Sequence, residues 1–119
     1  AAMGQGTDGY RFMAHRQGSC FANMSNPNQF SKDQRLMFVY TRNNNRNGKF
    51  YVNGNLITSI NDEPSFIFSS TNIIDIARRA NGAVQYFNGN VYNVQVYNKE
   101  LNEEEIKFIY DIYKNKYGI

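Results

Sequence analysis

His15 and Cys20 are the only histidine and the only cysteine in the chain, and that removes most of the chemistry such residues support. One thiol allows neither an intrachain disulfide nor a zinc site built from several thiolates, and one imidazole excludes a two-histidine metal site. Cys20 has no activating partner in view, so a buried, inert thiol is the default. His15 beside Arg16 is a candidate for binding an anion or a sugar hydroxyl. The carboxylates are equally unsuited to catalysis. Glycoside cleavage needs two carboxyl groups set about 5–10 Å apart, which on one strand means alternate positions. Asp75 stands alone on its segment, and Glu103, Glu104 and Glu105 open a helix, where they match the positive end of its dipole. The expectation is a protein that is not an enzyme. A calcium ion would need roughly six or seven oxygen ligands. Asp62 and Glu63, in the loop after Ile60, are the candidates for it, and they match no clear loop pattern. No other cofactor or metal is expected.

Binding is better supplied. The chain holds eighteen asparagines, nine tyrosines and nine phenylalanines. Lectin sites use rings as stacking platforms and asparagine or arginine to reach hydroxyls, each contact adding modest energy. Asn43, Asn44 and Asn45 form one loop tip, and Arg78, Arg79 and Tyr86 flank another. With His15 and Arg16 these are the candidate carbohydrate-binding residues. The same side chains would serve equally as the polar rim of a protein contact, and asparagine-rich tips also follow from turn geometry alone. Nucleic acid is not an expected partner. The thirteen basic residues are spread along the chain, with seven basic and two acidic residues up to Ile60, six basic and eight acidic beyond it. A nucleic-acid binder concentrates its positive charge on one element. No apolar run approaches the roughly 18–20 residues of a membrane span.

Short apolar segments punctuated by turn residues must position these groups, the spacing of an all-β sandwich. Strands are expected over 10–15, 20–24, 35–42, 49–53, 55–60, 73–78, 84–87 and 91–97, after an irregular lead-in over 1–9. In the 35–42 segment Leu36, Phe38 and Tyr40 share one face and Met37, Val39 and Thr41 the other. With both faces apolar, this strand is expected in the interior of its sheet. Asn-Gly occurs at Asn47-Gly48, Asn53-Gly54, Asn81-Gly82 and Asn88-Gly89. Both residue types tolerate the positive φ that type I′ hairpins require, so an antiparallel meander is the cheapest arrangement.

The last segment changes period. Asn102 is placed to cap a helix, with Glu105 completing a capping box and Leu101 and Ile106 forming a hydrophobic staple. Ile106, Ile109, Tyr110, Tyr113 and Tyr117 make one apolar stripe, and Gly118 is the expected stop.

From Arg35 onward the order of these blocks resembles a known family. Leu36-Met37-Phe38-Val39-Tyr40-Thr41 is followed by an asparagine-rich turn and Gly48-Lys49-Phe50-Tyr51-Val52-Asn53-Gly54. A second pair of strands, over 73–78 and 86–98, carries Tyr86-Phe87-Asn88-Gly89 and Val94-Gln95-Val96-Tyr97-Asn98. Leu101 with residues 103–110 then closes the series. The series is similar to the concanavalin A-like, laminin G-like jelly rolls of bacterial and phage surface proteins. The resemblance implies an antiparallel jelly-roll sandwich with one C-terminal amphipathic helix, forming a single domain over 1–119. It further implies a non-catalytic carbohydrate-binding or adhesion module that meets a glycan or cell-surface polysaccharide, at the cell surface, outside the cell or on a virion. The alternative is a structural interaction domain, such as a virion decoration, fibre or assembly module, without a sugar site. Two departures stand out. The family's usual strand tryptophan is absent, and its strands ahead of Tyr10 are not evident. The expectation is therefore a piece of a longer chain, with a protein partner or upstream residues completing the sheet.

Overall fold

The computed structural model describes residues 2–6, 9–16, 19–25, 34–61 and 89–119. Six strands and one helix are defined in them: β1 (Ala2–Gly6), β2 (Gly9–Arg16), β3 (Ser19–Ser25), β4 (Phe38–Arg42), β5 (Gly48–Val52), β6 (Asn55–Ile60) and α1 (Glu103–Tyr117). They form two three-stranded antiparallel sheets, ordered β1-β2-β3 and β4-β5-β6. The first sheet belongs to one compact unit of the chain, the second sheet and α1 to another. Strands adjacent in sequence pair with one another in both sheets.

In the first unit, β1 pairs with β2 from Ala2↔Met13 to Gly6↔Gly9. This corrects the irregular lead-in expected for 1–9. Three glycines lower strand propensity, but propensity is weak against the gain from a full set of ladder bonds on a neighbouring strand. β2 and β3 match the expected strands to within a residue or two and pair from Arg11↔Ser25 to Arg16↔Ser19, with a register shift between Ala14 and His15.

In the second unit β5 is the interior strand of the described sheet. β4 begins only at Phe38 and stands at the edge of the described sheet, paired to β5 from Phe38↔Val52 to Arg42↔Gly48. Its two apolar faces have separate uses. On one, the Tyr40 ring lies 4.9 Å from that of Phe50. On the other, Met37 and Val39 pack against a core of Tyr51, Leu101 and Ile106. Phe50 and Tyr51, on opposite faces of β5, are 0% and 1% exposed, which is why β5 reads as central. Thr41, on the Met37 face, is buried, and its Oγ1 has no hydrogen-bond partner among the described residues.

The helix docks its stripe on this sheet. Asn102 Oδ1 accepts from the Glu105 N–H at 2.9 Å while Glu105 Oε2 accepts from the Asn102 N–H at 2.9 Å, a complete capping box. Leu101 and Ile106, the staple, are both core residues. Ile109, Tyr110, Tyr113 and Tyr117 are half-buried, whereas Phe108 and Ile112, off the stripe, are exposed. Gly118 adopts φ 68, and its N–H and that of Ile119 both donate to the Lys114 carbonyl, ending the helix. A left-handed residue here lets the chain reach back to carbonyls the helix leaves orphaned.

Residues 91–97, expected as a strand, pair with none of the six described strands. Their expected neighbours over 73–78 and 84–87 lie outside the described residues.

Candidate functional site

The β4–β5 connection holds the one candidate cluster whose side chains are described. Arg42 and Gly48 close the ladder, and the Asn43 N–H donates to the Asn47 carbonyl at 3.1 Å. The Arg46 N–H donates to the Asn43 carbonyl, also at 3.1 Å, and Arg46 itself takes φ 64. A type I turn followed by a left-handed residue is the ordinary solution for a three-residue hairpin loop. Asn43 adds a second layer of order: its Oδ1 accepts from the N–H groups of Asn45 and Asn47, each at 3.0 Å. A short amide can do this because its carbonyl reaches the backbone two residues on.

The geometry divides the expected triad. The carbonyl of Asn43 is occupied in shaping the loop, whereas Asn44 and Asn45 are exposed at its tip. The expected positive φ at Asn47-Gly48 is also displaced. Arg46 carries it, and Gly48 is the first residue of β5. Once the Asn43 side chain holds the amides of residues 45 and 47, the reversal is complete one residue earlier than the dipeptide suggests.

His15 and Arg16 end β2, in the other unit of the chain, so the structure does not gather them with Asn44 and Asn45. His15 is in register with Cys20 across the β2–β3 ladder. The sequence could not show this, because the register shift beside His15 sets it. Arg78, Arg79, Tyr86, Asp62 and Glu63 lie outside the described residues, as do the Asn81-Gly82 turn and Asn88. None of the six strands contains Asp or Glu. Among the described residues, no three His, Cys, Asp or Glu side chains approach closely enough to hold a metal ion.

Two shallow depressions flank the helix. One, of about 470 Å³, is lined by Arg35, Asn53 and the residues after the helix. Arg35 Nη1 donates there to the Tyr117 carbonyl at 3.2 Å, so this cation supports a helix end. The other, of about 530 Å³, is walled by Tyr97, Leu101 and Phe108 beside the Lys99–Glu105 ion pair of 2.6 Å. The Lys99 bond and then the Asn102 N–H hold the Glu105 carboxyl below its ordinary 4.5. Burial first, then the nearby Glu103 and Glu100 carboxylates, push the Tyr51 phenol above 10.0. Phe108 was not a candidate, yet its place outside the stripe was the available signal that its ring faces water.

Comparison with known proteins agrees with the two sheets and helix. A family model described as the concanavalin A-like lectin/glucanases superfamily matches residues 2–107. A crystal structure of an S-layer domain-containing protein from Clostridium thermocellum is similar, with TM-score 0.56 at 14% identity, over 85% of this chain and 51% of that one. The chain therefore spans about half of that structure, and at such identity the likeness is one of fold. No curated protein matches the chain.

Proposed function

The chain belongs to the concanavalin A-like lectin/glucanase superfamily, and from that premise we propose that it is a non-catalytic carbohydrate-binding module of a surface protein. The jelly-roll sandwich typical of such modules is part of the same proposal. One observation carries the reading: Asn44 and Asn45 project from a loop that Asn43 and the backbone already hold in shape. Amide side chains both donate and accept, as sugar hydroxyls do, and a preordered loop loses little freedom on binding. The six described strands carry no carboxylate, which supports a binding role over glycoside cleavage, since that needs a placed pair. The naming of the structural neighbour as an S-layer domain-containing protein supports a surface location, and no helix among the described residues is long and apolar enough to cross a membrane.

A glycan array tests the proposal, with Asn44→Ala/Asn45→Ala as the paired variant. The expected result is retention of at least one glycan, weakened about fivefold or more by the double variant, since each exposed hydrogen bond contributes about 0.5–1.5 kcal/mol. The melting temperature should stay within about two degrees, because exposed substitutions rarely exceed ±0.5 kcal/mol. A flat array across neutral and acidic glycans would overturn it and leave the assembly reading, which light scattering of the chain then tests.

A further inference from the structure

The helix carries a second, outward row of side chains that its docking does not use. Glu104, Phe108, Ile112 and Lys116 recur every four residues, a spacing that drifts only about 40° per step and stacks them along one side of α1. All four are exposed, and Phe108 and Ile112 keep 66% and 53% of their surface in water. Single exposed apolar side chains are ordinary, but two large ones a turn apart make a patch. Tyr97 and Leu101 extend it, walling with Phe108 the shallow depression of about 530 Å³.

The row runs acid, ring, aliphatic, base, and it matches itself when reversed. A second copy of α1 turned end for end, about an axis midway between Phe108 and Ile112, sets Phe108 of each copy against Ile112 of the other. The same operation sets Glu104 against Lys116 at both ends. Among the described residues neither Glu104 nor Lys116 has an ion pair. The Lys116 ammonium stands 5.4 Å from the centre of the Tyr117 ring, an attraction that a carboxylate on its outer side does not disturb. The other charges of the helix do not oppose the match. Glu105 is held by Lys99 and Asp111 by Lys114, while Glu103 and Lys107 lie more than about 100° round the helix from the centre of the row.

We propose that this row is a two-fold contact between two copies of the chain, with their α1 helices antiparallel. The apolar stem of Lys116 from one copy lies over the depression beside Phe108 of the other, and its ammonium reaches Glu104. A few turns of helix cover less than the roughly 1,200–2,000 Å² of a standard interface, so a reversible dimer with Kd on the order of 100 µM is expected. This pairing is independent of any glycan site.

Sedimentation velocity of the whole chain from about 10 to 500 µM, spanning that affinity, tests it, with reductant present to keep Cys20 from bridging copies. The mass should rise from one chain toward two and no further, because a two-fold contact closes. Phe108→Ser/Ile112→Ser should leave a monomer throughout, with its melting temperature at the lowest concentration unchanged, since both side chains are exposed. Glu104→Lys and Lys116→Glu should each weaken association about fivefold or more, because each sets like charges together at both ends. Mixing these two variants one to one should restore it, because the mixed pair again has opposite charges at both ends. A chain that stays monomeric at every concentration, grows beyond two copies, or still pairs as Phe108→Ser/Ile112→Ser would overturn the proposal. A mixture that associates no more tightly than its components would overturn the antiparallel match.

Discussion

Two asparagine-rich turns close opposite ends of β5, and they have opposite fates. At Asn53-Gly54 the backbone takes φ 50 and φ 79, and the turn is sealed from outside. The Asn53 N–H donates to the Met37 carbonyl and Asn53 Oδ1 accepts from the Met37 N–H, both at 2.9 Å. The Tyr110 ring then lies so close that a Cβ on Gly54 would sit 3.2 Å from its Cδ1. At the Asn43–Asn47 loop the order comes from inside, through Asn43 Oδ1, and the tip residues Asn44 and Asn45 are exposed. The same residue type builds a buttress in one place and an exposed platform in the other. What distinguishes them is whether a distant element packs on top, and this decides which turn is available to a ligand.

Substitutions should rank the two turns accordingly. Gly54→Ala imposes the left-handed penalty and presses a methyl into Tyr110, so a loss of about 2 kcal/mol is expected, or a fall of about 10 °C in melting temperature. Tyr110→Leu in the same background should recover part of that loss, because it removes the ring that the methyl meets. No recovery would mean that φ alone accounts for the cost. Asn43→Ala removes one acceptor serving an exposed and a half-buried amide, and should cost about 1 kcal/mol by urea denaturation. If Asn43→Ala proves costlier than Gly54→Ala, the distinction between an externally sealed and a self-supported turn fails.

How much of this was legible follows the range of each interaction. The helix was readable to the residue, since Asn102, Glu105, Leu101, Ile106 and Gly118 act within a turn of one another. The Asn53-Gly54 hairpin was readable for the same reason. The Asn47-Gly48 signal misled because Asn43, four residues earlier, competes for the amides that a two-residue turn would leave alone. β1 was hidden by its glycines, whose low propensity is overridden by a neighbour the local sequence does not reveal. Of the site, the loop was visible but its division of labour was not. Asparagine serves equally as turn former and as sugar ligand, and only the Oδ1 contacts separate Asn43 from Asn44 and Asn45. Tyr110 over Gly54 joins the helix to a far earlier hairpin, and no spacing rule connects them.

The smallest effect expected is also the most selective. Glu105 is held below its ordinary pKa of 4.5 by Lys99 and the Asn102 N–H, so its charged form is favoured by the fold. A carboxyl depressed in this way contributes stability that is present above its unfolded pKa and is lost as the pH falls through the lower folded value. Acidification from about pH 4.5 downward should therefore weaken the start of α1. Because α1 carries Tyr110 onto Gly54, the loss should reach one turn and not the other. Amide exchange, corrected for intrinsic rates, should show the Asn53 N–H losing protection on acidification while the Arg46 N–H changes little. Glu105→Gln keeps an acceptor for the Asn102 N–H but has no charge to lose, so it should flatten the pH dependence at Asn53. Equal loss at both amides, or a pH response in Glu105→Gln as steep as in the parent, would mean that the helix start does not control the sealed turn.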